Sequence, residues 1–120
     1  MDAILYLLLG HYLGDYGMQS DETAGNKRHS LIVLTRHVVT YTLSIAAVLV
    51  IYYLVESPAS FAWEFISVSL LVIFIMHWIQ DYSKLHLLPD TKQTYYFDQV
   101  MHIAILYLFR IVAVKNGYIS

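Results

Sequence analysis

From Val38 to Val55 the chain carries no charged side chain. A helix needs about 20 mostly apolar residues to cross a bilayer, and this run comes close to that on its own. Three further apolar segments accompany it, so the candidate spans cover residues 2–19, 31–55, 61–82 and 95–114. The third is free of charge from Phe65 to Met76, whereas the first and fourth carry ionisable residues inside their runs. Lipid tolerates no unpaired backbone, which favours complete spans over partial ones. Composition points the same way. The 120 residues are 58% hydrophobic and 13% charged, against about 25% charged in soluble domains. A soluble protein of this size has too little polar surface to cover so much apolar side chain. The expected fold is all-α, a single polytopic membrane domain built as a four-helix bundle.

Several classes drop out early. Cysteine is absent, which removes disulfides and thiolate chemistry and leaves imidazole and carboxylate as the metal ligands on offer. The net charge of −2 argues against a nucleic-acid partner. No Lys or Arg precedes the first apolar run, which leads straight into His11 and Asp15, so a cleavable signal peptide is not expected.

The three connections read SDETAGNKRHS (20–30), ESPAS (56–60) and SKLHLLPDTKQT (83–94). The short middle one makes segments two and three a helical hairpin and places the other two connections on one membrane face. Those two hold Lys27, Arg28, Lys84 and Lys92, with Arg36 just inside the next helix. Lys115 and Arg110 belong to the opposite side. The positive-inside rule puts the basic face in the cytoplasm and both termini outside, as expected for a multi-pass protein of the cytoplasmic (inner) membrane. Tyr52, Tyr53, Trp63, Tyr95, Tyr96 and Tyr118 stand near span ends, where interfacial anchors sit.

The sequence also resembles itself. His11-Tyr-Leu-Gly-Asp15-Tyr16 and His77-Trp-Ile-Gln-Asp81-Tyr82 both read H-x-x-x-D-Y at an offset of 66, and His37 and His102 stand 65 apart, as do Lys27 and Lys92. Such an offset predicts two hairpin units, 1–55 and 61–115, related by a pseudo-twofold axis along the membrane normal.

His11 and Asp15, His77 and Asp81, and Asp98 and His102 are each four residues apart, and i,i+4 positions share one helix face. His37 completes the set, with Tyr41 on its stripe. All seven fall in the half of the bundle nearest the basic face. An ionised Asp in hydrocarbon costs about 2.5–3.5 kcal/mol on insertion scales, so carboxylates at such depth face inward toward partners. His11, Asp15, His37, His77, Asp81 and His102 are the candidate ligands of a divalent metal, for which zinc, manganese and iron suit the donors. Asp81 and Asp98 are the candidate catalytic carboxylates. Lys27, Arg36, Lys84 and Gln19 are the candidate substrate contacts. One ion with a spare Asp as base and two ions about 3.5–4 Å apart are both open.

Each element also has a plain reading. Asp15 and Asp81 suit interfacial positions, His37 suits a bond to a backbone carbonyl, and Asp98 with His102 suits a closed pair that fixes packing. His29 and His86 read as loop residues. Gln19, Gln80 and Gln99 serve as supporting donors or as helix–helix glue. Glu64 and Arg110 are expected to pair across spans three and four. Three functions follow: a metal-dependent hydrolase acting on a lipid or phosphoester at the cytoplasmic leaflet, a cation, proton or small-solute transporter, and a non-catalytic accessory protein whose polar layer only sets packing. Transport by so few spans calls for a homo-oligomer, and the polar layer occupies one half of the membrane only.

The motifs GHYLGDYGMQ, Lys27, His37 with Tyr41, HWIQDYSK and FDQVMH together resemble the DUF3307 family of small bacterial and phage integral membrane proteins of unknown function. The resemblance covers nearly the whole chain. It implies a helical membrane protein with recurring positions at His11, Asp15, Gln19, His37, His77, Asp81, Asp98 and His102, and it supplies no activity. A looser likeness to membrane-bound metal-dependent hydrolases adds to the enzyme reading by analogy. The extended histidine clusters of membrane di-iron desaturases are absent.

Overall fold

In a computed structural model, which describes residues 2–17, 30–56 and 63–119, every regular element is helical. Helix α1 spans Ala3–Tyr12 and runs on into a single π-helical turn, Leu13–Gly17. Helices α2, α3 and α4 span Leu31–Glu56, Trp63–His86 and Lys92–Lys115. These last three are long and apolar enough to cross a membrane. The chain is an all-α membrane protein.

The helix ends follow local backbone chemistry rather than hydropathy. Asp2 caps α1 by accepting from the Ile4 N–H at 2.9 Å, and Ser30 Oγ accepts from Val33 N–H at 3.3 Å ahead of α2. Helix α3 runs past residue 82 to His86 and stops short of Pro89, because a residue before proline is disfavoured in the α region. Thr91 then caps α4 by accepting from the Thr94 N–H at 3.2 Å, so this helix begins three residues before the apolar segment does. At the far end Gly117 takes φ 77°, a left-handed conformation that glycine adopts without strain. Tyr118 N–H then donates to Ala113 O and Gly117 N–H to Val114 O, the paired closure typical of helix C-termini.

Each helix packs on its sequence neighbours, and α1 closes the ring against α4. Cross-links show that neighbours run antiparallel. Near one end, Trp78 Nε1 donates to Thr35 Oγ1 and Lys84 Nζ to Asp98 Oδ2. At the other, Tyr6 donates to Glu56, Tyr53 donates to the Tyr118 carbonyl, and Arg110 makes a two-pronged pair with Asp2 at 2.6–2.7 Å. The expected partner of Arg110 was Glu64. The start of α1 lies against the end of α4 and supplies Asp2 instead.

The bundle is polar inside at one end and apolar outside. Leu43, Leu54, Val68, Leu71, Val100 and Leu108 are all more than half exposed, a surface suited to lipid. The interior of the other half is apolar and includes Leu7, Ile45, Leu49, Tyr52, Leu106 and Phe109. Tyr52, expected as an interfacial anchor, is fully buried there, its ring edge-on to Tyr6. Trp63 and Tyr96 do face outward.

Helices α1 and α2 approach closely at two glycines four residues apart. A Cβ on Gly10 would come within 2.7 Å of Val48 Cγ2, and one on Gly14 within 2.9 Å of the Tyr41 Cα. This G-x-x-x-G spacing lets two membrane helices touch backbone to backbone. It brings the π turn and Asp15 against α2 at the level of Tyr41.

Candidate metal centre

The seven sequence-selected His and Asp side chains are all buried, and apart from Ser44 they are the buried polar residues among those described. Asp15 comes from the π turn, His37 from the first turns of α2, His77 and Asp81 from α3, and Asp98 and His102 from the first half of α4. They form one layer near the end where α1 and α3 finish and α2 and α4 begin.

At its centre four ligand-type atoms converge: His37 Nε2, His77 Nε2, Asp15 Oδ1 and Asp81 Oδ2. His37 Nε2 lies 3.2 Å from the Asp15 oxygen and 3.3 Å from the Asp81 oxygen, His77 Nε2 lies 3.5 Å from each, and the two nitrogens are 3.3 Å apart. Four ligands held tetrahedrally at about 2.0–2.1 Å from an ion are separated from one another by about 3.3–3.4 Å. The triangles Asp15–His37–His77 and His37–His77–Asp81 therefore each have the edge lengths of one face of a tetrahedral metal site. Asp15, His37 and His77, and likewise His77, Asp81 and His102, form buried groups able to hold a metal ion.

The surrounding contacts fix which nitrogens are offered. His102 Nδ1 donates to the Asp98 carbonyl at 2.7 Å, and that bond leaves the lone pair on Nε2 in the neutral ring. His102 Nε2 is buried, has no hydrogen-bond partner among the described residues, and lies 3.6 Å from Asp81 Oδ1. His77 Nδ1 is likewise buried without a partner, and the ring stacks on Tyr41 with centroids 3.9 Å apart.

His11 is placed differently from the other histidines. Tyr41 Oη donates to its Nδ1 at 2.8 Å, and its Nε2 donates to Gln99 Oε1 at 2.9 Å. Both nitrogens are engaged, and Nε2 is 4.0 Å from Asp15. Gln99 turns its amide nitrogen toward Asp15 Oδ2 at 3.5 Å and Asp98 Oδ2 at 3.4 Å. The sequence offered Gln99 only as one of three amides; its central place comes from facing His11 across the α1–α4 contact. Gly10 and Gly14, which seat α1, were not singled out, although their spacing was a readable signal.

Asp98 lies on the far side of His102 and pairs with Lys84 Nζ at 3.1 Å. Lys84 also stands 3.9 Å from Asp81 Oδ1. Among the other candidate substrate contacts, Arg36 is exposed on α2, and Gln19 and Lys27 lie outside the described residues. The two H-x-x-x-D-Y segments close differently: His77 to Asp81 is regular α-helix, whereas Asp15 follows a switch to π geometry, a feature frequent at functional sites.

Searches of curated proteins and of solved structures find no match to this chain. A family model described as "Protein of unknown function (DUF3307)" matches residues 3–119, a stretch that contains every residue of the layer, and the chain belongs to that family.

Proposed function

We propose that this chain is a membrane-embedded metal protein in which Asp15, His37, His77 and Asp81 hold a divalent cation, and that it works as a metal-dependent hydrolase on a lipid or phosphoester at the nearer membrane surface. The observation that carries the reading is that His37 Nε2 and His77 Nε2, 3.3 Å apart, each lie 3.2–3.5 Å from one oxygen of Asp15 and one of Asp81 inside a lipid-facing bundle. Zinc, manganese and iron accept such donors. A bound ion of this kind polarises a phosphoryl or carbonyl oxygen and lowers the pKa of a water ligand. His11 acts through Tyr41 and Gln99 as a positioning residue. Asp81 and Asp98 face the side where Lys84 stands, and these are the groups we assign to the reacting end. Lys27, Arg28, Arg36, Lys84 and Lys92 favour the cytoplasm for that end and suit an anionic head group. The likeness to membrane metal-dependent hydrolases agrees by analogy alone.

A structural ion is the second reading, favoured by the number of protein ligands, since closed four-ligand sites are typical of structural metals. Transport is disfavoured by the apolar interior of the opposite half, where Leu7, Ile45, Leu49, Leu106 and Phe109 meet. The test is elemental analysis of the detergent-purified protein, purified without chelator, together with release of phosphate from phosphatidic acid micelles and of nitrophenol from p-nitrophenyl phosphate. Bound metal with hydrolysis that disappears in Asp81→Asn is the expected result. Metal without hydrolysis of either compound selects the structural reading, and a metal-free parent that takes up neither zinc nor manganese overturns both.

A further inference from the structure

We infer that the layer holds a second, more open cation position, bridged to the first by Asp81 and completed by His102, and that this position makes the substrate an anionic phosphoester. The inference rests on the metal reading above and goes beyond it in the number of ions and the class of substrate. Asp81 presents its two oxygens to different neighbours: Oδ2 faces His37 and His77 at 3.3 and 3.5 Å, while Oδ1 faces His102 Nε2 at 3.6 Å. The His102 nitrogen has no hydrogen-bond partner among the described residues, although the side chain is only 2% exposed. The bond from Nδ1 to the Asp98 carbonyl sets the tautomer of the neutral ring, in which a lone pair on Nε2 faces the carboxylate oxygen. Two electron-rich atoms aimed at each other across a buried gap repel unless a cation lies between them. Ligands about 2.0–2.2 Å from one ion stand 3.6 Å apart at an angle of about 110–130°. A carboxylate shared in this way suits ions about 3.5–4 Å apart, the spacing that clamps both oxygens of a displacement at phosphorus.

Charge then selects the substrate. Asp15, Asp81 and Asp98 against Lys84 leave the layer with two formal negative charges, which the first divalent ion cancels. A second ion leaves two positive charges inside a low-dielectric bundle, and a phosphate monoester dianion supplies their complement. Of the described residues, Asp81 and His102 are assigned to the second ion, His77 of the same group being taken by the first, so coordination positions remain for water and a phosphoryl oxygen. The second ion therefore binds more weakly than the first.

Mn2+ titration of the metal-stripped, detergent-solubilised protein, followed by electron paramagnetic resonance, tests this. The parent is expected to saturate near two Mn2+ per chain and to show the broadened spectrum of a coupled pair. His102→Ala is expected to saturate near one, with the spectrum of an isolated ion. The spectrum of the parent needs no variant, so a misfolded His102→Ala does not blunt the test. Saturation of the parent at one Mn2+ with an isolated-ion spectrum overturns the second position and leaves the first standing, whereas no uptake by the parent overturns the metal reading itself. Inorganic phosphate is the substrate probe: it is expected to tighten the weaker Mn2+ by at least tenfold in the parent. No effect of phosphate on a two-ion parent overturns the phosphoester assignment.

Discussion

His11 and His77 occupy matching positions in the sequence, and at the level of single residues they separate. His77 offers Nε2 to the central cluster, whereas His11 spends Nδ1 on Tyr41 and Nε2 on Gln99. A ligand and a residue that orients ligands respond differently to removal. His77→Ala is expected to abolish stoichiometric metal at the central position. His11→Ala is expected to keep the stoichiometry and weaken affinity by about 10–100-fold, the usual cost of losing an outer-shell partner. Competition with a chelator of known affinity measures both; equal loss in the two variants would make His11 a ligand after all. Spacing alone could not foresee this split. The i,i+4 rule identifies His11–Asp15 and His77–Asp81 as equivalent edges; with Asp98–His102 it made six of the seven buried residues legible, and His37 came from its place in the 65-residue repeat and its depth. Which ring nitrogen is free depends on what lies across the bundle, and Tyr41 and Gln99 reach His11 from other helices.

At the level of the elements, the position of Asp15 depends on how closely α1 approaches α2. Gly14 has no room for a Cβ, because the Tyr41 backbone and ring each lie 2.9 Å from where it would stand. Gly14→Ala must move α1 away from α2 or turn Tyr41, and overpacking of this sort costs about 1–3 kcal/mol. Thermal unfolding in detergent should show the loss. Central metal affinity should fall with it, because Asp15 is the next residue. A Gly14→Ala protein with the parent's affinity would uncouple the helix contact from the site. Helices α2, α3 and α4 were readable as apolar runs, although their ends, set by Pro89 and Thr91, ran past them. The π turn was not readable. Nothing in LGDYG forbids an ordinary α-helix, and the change of pitch belongs to the docking of this segment on α2.

For the whole molecule, the polar layer raises the question of what holds an inside-out bundle together. Apolar surface outside gains little by helix association in lipid, so packing and interhelical polar contacts must supply the cohesion. The central cluster draws on α2, α3 and the π turn that extends α1, and His102 adds α4. An ion there ties the ring of helices at one end, as the Asp2–Arg110 and Tyr53–Tyr118 contacts tie it at the other. A ligand that binds only the folded state stabilises it by about 2.7 kcal/mol at one hundred times its dissociation constant. The unfolding temperature of the solubilised protein should therefore rise with added zinc or manganese and fall on chelation. Without the ion, Asp15 and Asp81 remain buried in one layer, and like charges held in a low dielectric oppose folding. Asp15→Asn removes one of these charges along with a ligand. It should thus be more stable than the parent in chelator and less stable than the parent in saturating metal, and such a crossover separates an ion site from a purely packed polar layer. If Asp15→Asn were less stable than the parent under both conditions, the layer would owe its cohesion to hydrogen bonds alone.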